Sequence, residues 1–189
     1  MQKIILASQS PRRKQLLEWA EIEFEVIVPD TDESYPQGLD FESVAIHIAK
    51  NKAVSILETN VTDLPILAAD TIVVCDTDII GKPANKEEAV FILKKLSGRK
   101  HQVITGVCIL SKNKEVIFSD RTDVTFNELT EAQIEYYVDR YKPYDKAGAY
   151  AIQEWIGVIG IKSVTGDFYN VMGLPVNRVV QALQEFSAA

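Results

Sequence analysis

Two cysteines and two histidines are all that this chain of 189 residues contains of either type. Cys75 and Cys108 stand far apart in apolar runs, and His47 and His101 are also separated. No zinc-ligand spacing and no disulfide framework follows from such placement. A reduced chain with buried free thiols is expected. Bases are scarce beside acids, with 20 Lys and Arg against 27 Asp and Glu and a net charge of −7. That balance argues against nucleic acid and against an anionic membrane surface as partners. No apolar run approaches the ~20 residues of a membrane-spanning helix, and the first residues carry no leader pattern. The expected compartment is the cytoplasm. The familiar phosphate cradles are missing as well. There is no G-x-x-x-x-G-K-[ST] and no G-x-G-x-x-G, so neither a P-loop nor a dinucleotide-binding turn is indicated. No G-x-S-x-G elbow and no Ser-His-Asp arrangement replaces them.

What is present is ordinary in bulk and unusual in detail. A hydrophobic content of 47% and a charged content of 25% are those of a soluble globular protein. The length suits a single domain over residues 1–189, or two lobes sharing a sheet. Short apolar strands at Ile4–Ala7 and Phe24–Val28 flank a helix opened by Ser10 and Pro11. Asp40 caps a second helix running to about Leu57, and Leu64 to Cys75 is apolar on both parities, as in a buried central strand. Asn85 opens a further helix that ends at Ser97-Gly98, and Gln102–Leu110 and Glu115–Phe126 read as two long strands. Thr130-Glu131-Ala132-Gln133 has capping-box spacing and opens a helix to about Tyr141. Tyr150–Ile161 reads as irregular strand, and Pro175 starts a closing helix. The predicted class is mixed α/β.

Three placements conflict with this framework. Arg12, Arg13 and Lys14 occupy the first turn of a helix, where the macrodipole disfavours each cation by ~0.3–1 kcal/mol. Lys52 falls inside the apolar stripe Ala45, Ile48, Ala49, Ala53 and Ile56. It either snorkels to water or points its ammonium at an anion. Asp70 lies within the buried run, where a carboxylate costs several kcal/mol unless paired or metal-bound. Lys82 is fixed between Gly81 and Pro83, and Glu33 sits in an acidic loop as a possible further metal ligand. Together with the hydroxyls of Ser8 and Ser10, these residues suit a phosphorylated small molecule accompanied by a divalent cation.

The ordered blocks Ala7-Ser8-Gln9-Ser10-Pro11-Arg12-Arg13, Ala68-Ala69-Asp70-Thr71-Ile72-Val73, Gly81-Lys82-Pro83 and Asp145 through Gln153 span most of the chain. Together with Lys52-Ala53, Leu96-Ser97-Gly98, Thr105-Gly106 and Gly173-Leu174-Pro175, they resemble the Maf family of nucleoside triphosphate pyrophosphatases. The resemblance implies an elongated twisted sheet flanked by helices with a central cleft, similar to that of inosine triphosphatases. It also implies hydrolysis of a nucleoside triphosphate to monophosphate and diphosphate with magnesium or manganese, a homodimer, and a house-cleaning role with a possible link to septum formation. By the same resemblance Asp70 is the catalytic carboxylate and Glu33 the family's acidic loop residue, and on chemical grounds these two would hold the metal. Ser8, Arg13, Lys52 and Lys82 match the family's phosphate-binding and charge-stabilising residues. Arg12, Thr71 and Gln153 mark the branch acting on dTTP and UTP. Two rivals are a non-enzymatic nucleotide-binding regulator of septum formation and an inosine/xanthosine triphosphate pyrophosphatase. The latter family opens on a Thr-Gly-Asn turn that this chain lacks.

Overall fold

The computed structural model describes residues 2–60 and 62–187. The elements run β1 (Ile4–Leu6), α1 (Pro11–Trp19), β2 (Phe24–Val26), α2 (Phe41–Thr59), β3 (Ile66–Cys75), β4 (Asp78–Ile80) and α3 (Lys86–Leu96). Then come β5 (Lys100–Leu110), β6 (Glu115–Phe126), α4 (Glu131–Tyr141), a 3₁₀ turn (Ala147–Ala149), α5 (Trp155–Gly160), β7 (Ile161–Thr165), α6 (Phe168–Met172) and α7 (Val176–Ser187). The class is mixed α/β. The strands join in the order β2-β1-β3-β5-β6-β7, with β4 also paired to β3. β1 runs parallel to β2 and β3, whereas β4 is antiparallel to β3 and β7 to β6.

The chain forms two compact units, residues 1–71, 105–120 and 173–189, and residues 72–104 and 121–172. In the first, α2 packs its small-residue stripe on the sheet, with Ala49, Ala53 and Ile56 against Ile5, Ile66 and Cys108. The fit depends on Gly106. A Cβ there would stand 2.3 Å from the backbone carbon of Ala45, so only glycine lets the helix lie this close. Asp40 starts α2 where expected, its Oδ1 accepting the Ser43 amide at 2.7 Å.

In the second unit three rings fill the core edge to face. His101 lies 5.1 Å from Phe126 and 5.4 Å from Tyr150, centroid to centroid, and Phe126 lies 5.0 Å from Tyr150. The capping box at Thr130 and Gln133 forms as predicted. One expectation fails. The β-branched run after Gln153 is helical, not strand, over Trp155–Gly160, and extended chain begins only at Ile161. Ile156 is fully buried, and the turn closes through a Gly157 amide donating to Glu154 O at 2.9 Å. A Cβ on Gly157 would sit 1.8 Å from Ile152 O, so this tight return, which periodicity does not encode, is built on glycine. Both cysteines are free and buried, as anticipated, and burial pushes the Cys108 thiol up to about 12. Among the described residues no helix is long and apolar enough to cross a membrane.

Candidate active site

The first unit brings together most of the residues singled out from sequence. Ser10 caps α1, its hydroxyl accepting the Arg13 amide at 3.5 Å. Ser8, at the end of β1, is buried, and its Oγ accepts from the Ser10 amide at 3.1 Å and from Arg13 Nη1 at 3.3 Å. Those bonds use its lone pairs and leave the O–H as a donor. Arg13, only 9% exposed, also donates Nε to Gly173 O at 2.8 Å and Nη2 to Thr71 Oγ1 at 3.0 Å. Burial pulls its guanidinium below the ordinary value, and the field of Asp70 opposes that shift. The misplaced cation of the sequence thus has three oxygen acceptors. A guanidinium with five N–H groups can keep all three and still donate two to an anion. Arg12, the next residue back, is half-buried.

Asp70 lies in the middle of β3, whose other residues are buried except for the half-buried Thr71. Its carboxylate meets the ammonium that the apolar stripe of α2 had made conspicuous. Lys52 Nζ donates to Asp70 Oδ1 at 2.6 Å and to Glu33 Oε1 at 2.9 Å. The Lys52 and Asp70 side chains are 12% and 11% exposed, whereas that of Glu33 is 46% exposed. Lys52 therefore does not snorkel. Two carboxylates converging on one ammonium-sized point also suit a hard divalent cation, which binds through one or two carboxylates plus substrate oxygens. Among the described residues no cluster of three or more His, Cys, Asp or Glu side chains forms a cage.

Lys82 and Gln153 belong to the second unit, and both are exposed. Their two segments are tied by the Gly148 amide, which donates to Gly81 O at 3.1 Å. Gly148 has φ +72°, and a Cβ there would press on Val73 at 3.0 Å. Glu154, the residue after Gln153, belongs to a polar cluster that the sequence did not single out by role. Tyr137 Oη donates to Glu154 Oε2 and accepts the Ala151 amide at 3.2 Å. The buried Lys146 reaches Asp145 at 2.8 Å and Glu154 at 3.5 Å. Thr105 was likewise passed over, although a polar residue in the apolar run Val103-Ile104-Thr105-Gly106-Val107 is the same signal that exposed Asp70. It is fully buried, and its Oγ1 lies 2.9 Å from Thr71 Oγ1.

The sequence pattern of the Maf-like protein family matches residues 3–186. The chain belongs to the Maf family. Among curated relatives of this Maf chain, a dTTP/UTP pyrophosphatase of Parabacteroides distasonis is 51% identical over 97% of the chain and 96% of its own length. A protein of the same name from Porphyromonas gingivalis is 49% identical over 97% and 94%. Another, from Cytophaga hutchinsonii, is 50% identical over 96% and 83%. The solved structure of the Staphylococcus aureus Ham1 protein is 16% identical, covers 98% of the Maf chain and 99% of its own, and has a TM-score of 0.49.

Proposed function

We propose that this chain hydrolyses dTTP and UTP between the α and β phosphates, giving the monophosphate and diphosphate. The observation that carries the reading is Asp70, a carboxylate held within a buried strand by Lys52. The names of relatives matching about half of its residues over nearly the whole chain support the substrate. Hydrolysis needs a water in line with the α phosphorus and charge neutralisation on the leaving diphosphate. Asp70 orients that water and accepts its proton. Ser8 donates its hydroxyl to a phosphate oxygen, Arg13 neutralises the triphosphate, and Lys52 holds the Asp70 carboxylate in place; on the family resemblance alone, Lys82 adds further positive charge to the phosphates. Arg12 lines the same phosphates from the first turn of α1. Gln153, whose amide both donates and accepts, reads the pyrimidine edge. Asp70 and Glu33 would hold magnesium or manganese, which when bound neutralises phosphate charge and lowers the pKa of coordinated water. The buried free thiols suit the reducing cytoplasm. A homodimer is part of the same reading, on the family resemblance alone.

The test is a panel of nucleoside triphosphates in magnesium or manganese with diphosphate as readout. The native chain should release diphosphate from UTP and dTTP ahead of purine nucleotides. Asp70→Asn should lose ~10²- to 10⁴-fold in kcat, the usual contribution of a positioned general base, while still binding UTP. Release of inorganic phosphate instead, or a fully active Asp70→Asn enzyme, would sink the assignment.

A further inference from the structure

Thr71 follows Asp70 directly, and its hydroxyl bonds within the protein. Thr71 Oγ1 accepts from Arg13 Nη2 at 3.0 Å, lies 2.9 Å from Thr105 Oγ1 and approaches Gly173 O at 3.4 Å. Thr105 is fully buried behind it in β5. The Gly173 carbonyl also accepts from Arg13 Nε at 2.8 Å. It is presented from φ +114°, a conformation that glycine adopts without strain. Three nitrogens of one buried guanidinium are thus met by oxygens from residues 8, 71 and 173. A planar fork held at three points cannot rotate about its long axis without breaking at least one bond.

We propose that Thr71 and Thr105 are positioning residues. With the Gly173 carbonyl they set the rotation of the Arg13 guanidinium, so residue 71 acts on the triphosphate through Arg13 instead of touching the base. This rests on the reading of Arg13 as a phosphate ligand of a pyrimidine triphosphate pyrophosphatase. Thr71 supplies the acceptor for Nη2, and its single hydrogen goes to Thr105 or to Gly173 O. Valine at 71 has nearly the same volume and no acceptor. It would leave Nη2 without its partner and free the fork to turn, and an error of ~1 Å at a clamp can cost ~10²-fold in rate.

The experiment measures kcat and KM for UTP and CTP, with melting temperatures, for the native chain and the variants Thr71→Val, Thr71→Ser, Thr105→Val and Arg13→Lys. It includes the double variant Thr71→Val with Arg13→Lys. Loss of a hydrogen bond to a charged donor predicts a ~10- to 100-fold fall in kcat/KM for Thr71→Val, and loss of the neutral hydroxyl bond behind it a ~2- to 10-fold fall for Thr105→Val. Most of it should fall in kcat, because the clamp matters most where charge develops. Thr71→Ser should restore most of the rate, and the UTP-to-CTP ratio should stay within ~2-fold of native. In the Arg13→Lys background the Thr71→Val change should cost less than ~3-fold more, since residues acting as a unit are not additive. A changed UTP-to-CTP ratio in Thr71→Val would make residue 71 a base reader and overturn the proposal. So would native rates in both valine variants, or full additivity in the double variant. Should Thr71→Val melt well below native, Thr105→Val against Thr105→Ser carries the same comparison. A native chain that releases no diphosphate from UTP refutes the activity itself. An active native chain with unaltered valine variants refutes only the positioning role.

Discussion

Replacing Lys52 by methionine keeps the stem on the apolar face of α2 and removes only the ammonium. The structure sets the size of the effect. Asp70 loses the partner at 2.6 Å while its side chain stays 11% exposed. Breaking a buried pair from one side costs ~3–5 kcal/mol. The residual exposure places this case at the low end, ~3 kcal/mol, and the half-exposed Glu33 contact adds at most ~1 kcal/mol. For a chain of this length each kcal/mol moves the melting temperature by ~2–4 °C, so Lys52→Met should melt ~6–12 °C below native. Adding Asp70→Asn removes the stranded charge, and the double variant should recover at least about half of the loss. Magnesium or manganese should raise the melting temperature of Lys52→Met more than that of the native chain, because a divalent cation beside Asp70 and Glu33 would offset part of the lost positive charge. Calorimetry at neutral pH measures all three. A Lys52→Met chain that melts within ~1 °C of native, or a double variant equal to the sum of the singles, would refute the reading of Lys52 as the resident countercharge.

Two further outcomes are expected. Burial lowers His101 to about 4 from its ordinary 6.5. The unfolded chain therefore takes up a proton that the folded chain refuses, and stability falls as pH drops from 6.5 towards 4. The loss is ~2 kcal/mol between pH 7 and pH 5, and a His101→Gln chain, which can still bond Tyr150, should lack that component when urea midpoints are compared across pH. Gly106→Ala would drive a methyl group to 2.3 Å from the Ala45 backbone. Overpacking of this kind costs ~1–3 kcal/mol or more, so a ~2–12 °C drop in melting temperature is expected, and a native-like value would show that α2 can shift at little cost.

Element positions were legible where a local signal exists. Asp40, Asn85 and Thr130 cap helices because a short side chain reaches an amide three residues on, and that spacing is visible in any sequence. Lys52 and Asp70 were legible for the opposite reason. Each is a charge breaking an otherwise apolar period, and the structure joins the two at one hydrogen bond. The helix over Trp155–Gly160 was misread because its β-branched residues favour strand. The decisive contact there, Gly157 against the Ile152 carbonyl, leaves no trace in periodicity. Thr105 carried the same kind of signal as Asp70, but a single hydroxyl in an apolar run costs little enough to look ordinary.

By itself the sequence determined the mixed α/β class, the caps, and which charges had to find partners. Burial penalises an unpaired ion whatever the fold. It left open what those partners would be. Arg13 was read as a cation at the wrong end of a helix awaiting an anion. Tertiary structure makes it the junction of Ser8, Thr71 and Gly173, the last of them 160 residues away. Local patterns encode neighbours three or four residues apart. The orientation of a guanidinium depends on carbonyls and hydroxyls that only folding brings within 3 Å, and that orientation was decided by the tertiary structure alone.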